Sequence, residues 1–155
     1  MYFRENNIHM KTSSKNFIFA KGGRKEAVAR IRLYNMGKAS IDGVELKKGD
    51  IFVNSKPIQE YFRFSAYAPI YNKFILDTGI SGKYPFSIKV EGGGLAGQLD
   101  AVILGMARAL DKLDREQYHK VLRNHGYLTR DARERERRKV GMGGKARRKK
   151  QSPKR

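Results

Sequence analysis

The apolar pattern of this 155-residue chain stops near residue 126, and that break decides what can fold. Between Arg137 and Arg155 stand ten lysines and arginines and no acid, with Val140 and Met142 the sizeable apolar side chains. A segment with so little to bury cannot offset the conformational entropy lost in forming a core. Folding is therefore expected in residues 17–126, a single mixed α/β (α+β) body. Residues 127–155 read as a basic arm, and the polar, aperiodic residues 1–16 as a mobile N-terminal extension.

Charge narrows the partner. Lys plus Arg total 34 against 15 Asp plus Glu, a net charge of +19. Such an excess repels itself in a lone folded protein and is expected where a polyanion neutralises it, which makes nucleic acid the first candidate. An anionic membrane is the lesser option and is not the expected partner, and no stretch approaches the ~18 apolar residues that a membrane span needs. Cysteine is absent, which excludes disulfides, zinc knuckles and a thiol nucleophile. The opening "MYFRENNIHMKTSSKNFIFAKGG" lacks the continuous apolar run of a secretory signal, so a soluble, reducing compartment is expected.

Within the body, "KEAVARIRLYN" alternates, with Ala27, Ala29, Ile31 and Leu33 on one side and Glu26, Arg30 and Arg32 on the other. That is a half-buried strand with a cationic outer face. Asp42-Gly43 between two short β-like runs predicts a hairpin. Pro57 predicts a helix start with Ile58, Tyr61 and Phe62 on one face, and "APIYNKFIL" predicts another helix. "YPFSIKV" reads as a strand with Phe86, Ile88 and Val90 inward. Leu99, Val102, Ile103, Met106, Leu110 and Leu113 recur at helical spacing and give the clearest helix. Asp114 and Gln117 have capping-box spacing for a second helix burying Tyr118, Val121 and Leu122, which Gly126 would end.

"VEGGGLAGQL" places Gly92, Gly94 and Gly97 in the spacing of a dinucleotide-binding turn. That fold needs a second strand about twenty residues on, ending in an acid, and here two helices and a basic arm follow instead. "VGMGGKARR" lacks the Ser or Thr and the upstream glycine of a phosphate-binding loop. No cofactor is expected. The glycines predict a tight strand-to-helix turn, with Gly97 packing closely and the exposed backbone of Gly92, Gly93 and Gly94 facing an RNA phosphate at the helix N-terminus. His119 and His125 fall on different helix faces, and His9 is remote, so no metal site is expected. Most of the sixteen Tyr and Phe fall at core-facing positions, with Tyr67, Tyr71 and Tyr127 open between packing and base stacking.

Three blocks in order, "GGRKEAVARIRL", "VEGGGLAGQLDAVILGMARAL" and "GYLTRDARERERRKVG…KARRKKQSPKR", closely resemble the small-subunit ribosomal protein nine family of the bacterial and organellar type. The likeness covers about residues 20–155. It implies a body like the second domain of ribosomal protein five, carrying a long extended basic C-terminal tail. It further implies a structural, non-catalytic role in the ribosome, in the cytoplasm, with an organellar ribosome as the alternative. The seat would be the head of the small subunit, on the 3′ major domain of its rRNA and beside other head proteins.

Carried onto this sequence, the rRNA-binding residues are Arg24 and Lys25 of the basic turn, Arg30 and Arg32 of the cationic strand face, and Thr129, Arg130 and Arg133 of the TRDAR block. The arm adds Arg137, Arg138, Lys139, Lys145, Arg147, Arg148, Lys149 and Lys150. The tip, Lys154 and Arg155, would reach the anticodon stem-loop of peptidyl-site tRNA. Two features depart from the family pattern. Pro153 removes a backbone donor just before the tip, and the glycine-rich link looks slightly longer than usual. "TRDARERERRK" would be polar on every side as a helix, which is unfavourable in solution and acceptable against RNA. The residues alone also admit a small phosphate-binding enzyme built on the Gly92–Gly97 turn, or a free-standing basic chromatin-like protein.

Overall fold

Ala27, Ala29, Ile31 and Leu33 are each buried, and Arg30 and Arg32 are exposed, as the alternation requires. The computed structural model describes residues 17–35, 39–41, 44–137 and 140. Strand β1 (Phe17–Arg24) and strand β2 (Ala27–Tyr34) form an antiparallel hairpin, followed by β3 (Ala39–Ile41) and β4 (Val44–Leu46), which pair with each other. Then come β5 (Ile51–Val53), β6 (Lys56–Pro57), helix α1 (Ile58–Tyr61), α2 (Ala68–Thr78), β7 (Phe86–Glu91), α3 (Leu95–Leu113) and α4 (Arg115–Asn124). The main sheet has the order β1-β2-β7-β5-β6, antiparallel except for the β5–β7 pair. The mixed α+β expectation holds.

Helix α3 is the central element. Its Leu99, Val102, Ile103, Met106 and Leu110 are buried in the core, and Leu113 is half-buried. The helix crosses β1 and β2 unusually closely. A Cβ at Gly22 would overlap the Ala101 carbonyl oxygen and lie 2.6 Å from the Gly105 amide nitrogen. At Gly97 a Cβ would sit 3.6 Å from the Arg24 oxygen and 3.8 Å from the Ala27 Cβ, ordinary contact distances. The close approach that the sequence reading assigned to Gly97 is therefore made at Gly22 instead. Ala20 and Gly22 carry the inward face of β1, and such small residues leave no apolar alternation to read.

The remaining elements follow local chemistry. The Asp114 side chain accepts from the Gln117 amide at 3.0 Å and opens α4, which buries Tyr118 and Leu122 and half-buries Val121. Gly126 follows the helix end with φ of 74°. The helix start after Pro57 is present, but Asn54 and Ser55, both at positive φ, first turn the chain between β5 and β6. The Asn54 side chain pairs with the Val90 backbone in both directions, at 3.0 and 2.9 Å, as a strand would. The proposed Asp42-Gly43 turn and residues 1–16 lie outside the described residues, although β3 and β4 flank that turn in antiparallel register.

Candidate nucleic-acid interface

The helices cover one face of the sheet, and the opposite face carries cations in rows. Register sets Lys21 beside Arg30 and Arg30 beside Lys89, so three like charges stand side by side across β1, β2 and β7. Like charges directly opposite each other oppose pairing. Glu91 relieves part of this, lying 3.5 Å from both Arg30 and Lys89. One step along, the Arg32 guanidinium sits 5.2 Å from the centre of the Phe17 ring. The sequence identified Arg30 and Arg32; Lys21 and Lys89 join them only through strand register.

The glycine turn links β7 to α3. Gly92 and Gly93 adopt φ of 75° and 62°, and a Cβ at Gly92 would approach the Glu26 carbonyl oxygen to 2.5 Å. Conformation and space both demand glycine there. Gln98 donates to the Gly92 carbonyl at 2.9 Å and accepts from the Tyr61 hydroxyl at 2.9 Å, which fixes the turn. Gly92, Gly93 and Gly94 are exposed, and no side chain caps the start of α3. The turn opens into a cavity of about 550 Å³ bordered by Lys25, Tyr67, Gly93, Gly94 and, from the basic segment, Arg135. An uncapped helix start presents its first amides to an anion.

The third part is the root of the arm. Arg24 ends β1, where the Lys25-Glu26 turn points it at the segment after α4. Its Nη1 donates to the carbonyls of Asp131 and Arg133 at 3.2 and 3.0 Å and lies 2.8 Å from the Asp131 carboxylate. Its Nε is 3.5 Å from Asp100, and the side chain is 14% exposed, so this guanidinium is occupied by the protein itself. Arg133 grips the same carboxylate through Nε and Nη2, at 3.0 and 2.6 Å, and its own amide donates to it at 3.0 Å. Arg133, and more weakly Arg24, hold the Asp131 carboxyl far below the usual carboxylate range.

Contact with the body continues before this knot. The Tyr127 hydroxyl donates to Asp77 at 2.7 Å, and its ring meets Phe74 edge-on at 5.0 Å. Burial first, and the Asp77 hydrogen bond second, push the Tyr127 phenol up to about 12. Tyr71 is buried in the core, whereas Tyr67 is half-buried at the edge of the cavity.

Lys25, Thr129, Arg130, Arg133 and Arg137 are exposed. Residues 130–137 carry no regular secondary structure, in keeping with their all-round polarity. Arg138, Lys139, Lys145, Arg147, Arg148, Lys149, Lys150, Lys154 and Arg155, with Pro153 and the glycine-rich link, lie outside the described residues. His119 bonds Asp111 at 2.7 Å, and His125 lies 3.4 Å from Asp77. Among the described residues no three His, Cys, Asp or Glu side chains converge as metal ligands, and no helix is long and apolar enough to cross a membrane.

These features define a small, strongly basic α+β protein whose sheet face, glycine turn and pinned basic segment present a surface suited to a polyanion. The family described as ribosomal protein S9/S16 matches residues 22–155. Small ribosomal subunit protein uS9 of Trichormus variabilis is 42% identical over 131 residues, covering 84% of this chain and 86% of that protein. Its counterpart in Maridesulfovibrio salexigens is 42% identical over 131 residues, covering 84% of this chain and 92% of the relative. That of Synechocystis is 40% identical over 132 residues, covering 84% and 88%. The chain belongs to the ribosomal protein S9 family, as its motifs led us to expect. It is a structural component of the ribosome and not an enzyme, which removes the phosphate-binding enzyme from consideration.

Proposed function

We propose that the chain binds rRNA in the head of the small subunit, on the 3′ major domain and beside neighbouring head proteins, and that its C-terminal tip touches peptidyl-site tRNA. One observation carries this reading: the Arg24–Asp131 knot brings the basic segment alongside the glycine turn, so both border one cavity. The open sheet face and this cavity supply the body's contacts. Lys25, Arg30, Arg32, Arg130 and Arg133 meet phosphates, and the Gly92–Gly94 backbone offers amides to another. Arg24 acts by holding the arm root, and Thr129 lies beside it. The arm cations from Arg137 to Lys150 follow an RNA crevice, releasing condensed counterions as they enter. Lys154 and Arg155 add charge-assisted contacts to tRNA phosphates, which carry no sequence information.

The test is tRNA binding by small subunits assembled with the full chain or with a chain ending at Pro153. Assembly should be near normal with either, because the other eight arm cations remain. Affinity for peptidyl-site tRNA should drop by ~1–2 kcal/mol at low salt, and similarly for different tRNAs. Equal affinity would refute the tRNA contact and leave rRNA binding standing.

A further inference from the structure

Phe19 lies on the open, cationic face of the sheet, in the middle of edge strand β1, and is 49% exposed. The other aromatic rings of the sheet are covered: Phe17 and Phe52 are half-buried, and Tyr34 and Phe86 are buried. Register puts Phe19 directly across from Arg32 and one step from the Lys21–Arg30–Lys89 row. Its backbone is held, since the Phe19 carbonyl accepts from the Lys112 ammonium at 2.9 Å. Together with Arg30 the ring borders two depressions. One, of about 550 Å³, leads toward Ser87 and Lys89; the other, of about 370 Å³, leads toward Glu26 and Gly92. Each is large enough for a small organic ligand, and the ring stands between them.

We infer that this face holds an unpaired stretch of RNA, with one base stacked on Phe19 and the flanking phosphates on Lys21, Arg30 and Lys89. The inference rests on the RNA-binding reading above and narrows it to a strand conformation and a residue. An aromatic ring between cations matches the alternation of base and phosphate along a single strand. A duplex keeps its base faces stacked and would meet the cations alone. An acidic protein segment would answer the charges and leave the exposed ring without a role.

Photocrosslinking of the full chain to a single-stranded RNA carrying 4-thiouridine, and to the same sequence as a duplex, tests this. Tryptic mapping assigns each crosslink, and those in residues 137–155 serve as an internal reference. Single-stranded RNA should crosslink to the peptide ending at Lys21, and the duplex should not. Phe19→Leu should lower that yield about fivefold or more relative to the arm, and Phe19→Tyr, which keeps the ring, should retain it. A wild-type map without crosslinks in this peptide, or equal yields for Phe19→Leu, overturns the inference while arm crosslinks uphold the general reading. Crosslinking nowhere in the chain overturns both.

Discussion

The Arg24 guanidinium lies 2.8 Å from the Asp131 carboxylate, joining the first hairpin to a segment 107 residues further along the chain. Two backbone carbonyls of that segment accept from the same Nη1. The root of the arm is therefore held against the body, and less ordering of that root remains to be done when it meets a partner. Arg24→Gln should free residues 130–137 while leaving the buried core intact. Limited trypsin digestion should then cut at Arg130, Arg133 and Arg135 roughly three- to tenfold faster than in the wild type. Unchanged rates would show that the knot does not restrain the segment.

The knot also makes a pH prediction. Asp131 is held below its unfolded value of about 3.9, so its pairing adds stability above that pH and loses it as pH falls through the lower folded value. A carbon-detected NMR titration should find the Asp131 carboxyl still ionised at pH 3.9. Arg133→Ala should raise its midpoint more than Arg24→Ala does, because Arg133 is the larger cause. The reverse order would contradict the described geometry.

Tyr127 responds at the other end of the pH scale. Its phenol is raised to about 12, so the neutral form is favoured in the folded state. The stability it lends is fully present below an unfolded value of about 10 and is lost as pH rises toward 12. Tyr127→Phe should cost about 1 kcal/mol at neutral pH, by removing the hydrogen bond to Asp77, and should flatten the alkaline decline of thermal stability. An identical alkaline profile in the two proteins would count against a raised Tyr127 phenol, and an unchanged stability at neutral pH against the Asp77 hydrogen bond.

Close packing of β1 on α3 gives a steric test. Gly22→Ala places a methyl group against the Ala101 carbonyl oxygen and should destabilise the body by roughly 1–3 kcal/mol. Gly97→Ala meets ordinary contacts and should change stability by no more than about 0.5 kcal/mol. Thermal melts of the two variants compare them directly; equal losses would mean the helix start is as tightly packed as its middle.

Much of this architecture is legible in the chain because period reports burial. The alternation of β2 and β7, the helical spacing in α3 and the Asp114 cap all place side chains as the sequence implies. Strand β1 is harder to read: Ala20 and Gly22 form its inward face, and their smallness serves α3 rather than an apolar pattern. The β5–β6 turn was hidden behind the helix signal of Pro57. The site divides in the same way. Arg30 and Arg32 announce a cationic face within one strand, whereas Lys21, Lys89 and Phe19 join it only when three strands align. Arg24 looks from sequence like one more surface cation, and its inward role depends on Asp100 and Asp131, which no local spacing connects to it.

The proposed hold on rRNA is by charge, with the body and the arm each contributing. Its most direct test is binding of a 3′ major domain rRNA fragment across a salt series, for the full chain and for a chain ending at Glu136. If the arm engages half of its ten cations, removing it should reduce the slope of log K against log salt by about 3 to 5, and by more if more of them engage. The shortened chain should keep a smaller but measurable slope, from Lys21, Arg30, Arg32 and Lys89 on the sheet face. Salt-independent binding by the full chain, or the same slope with and without the arm, would contradict the account.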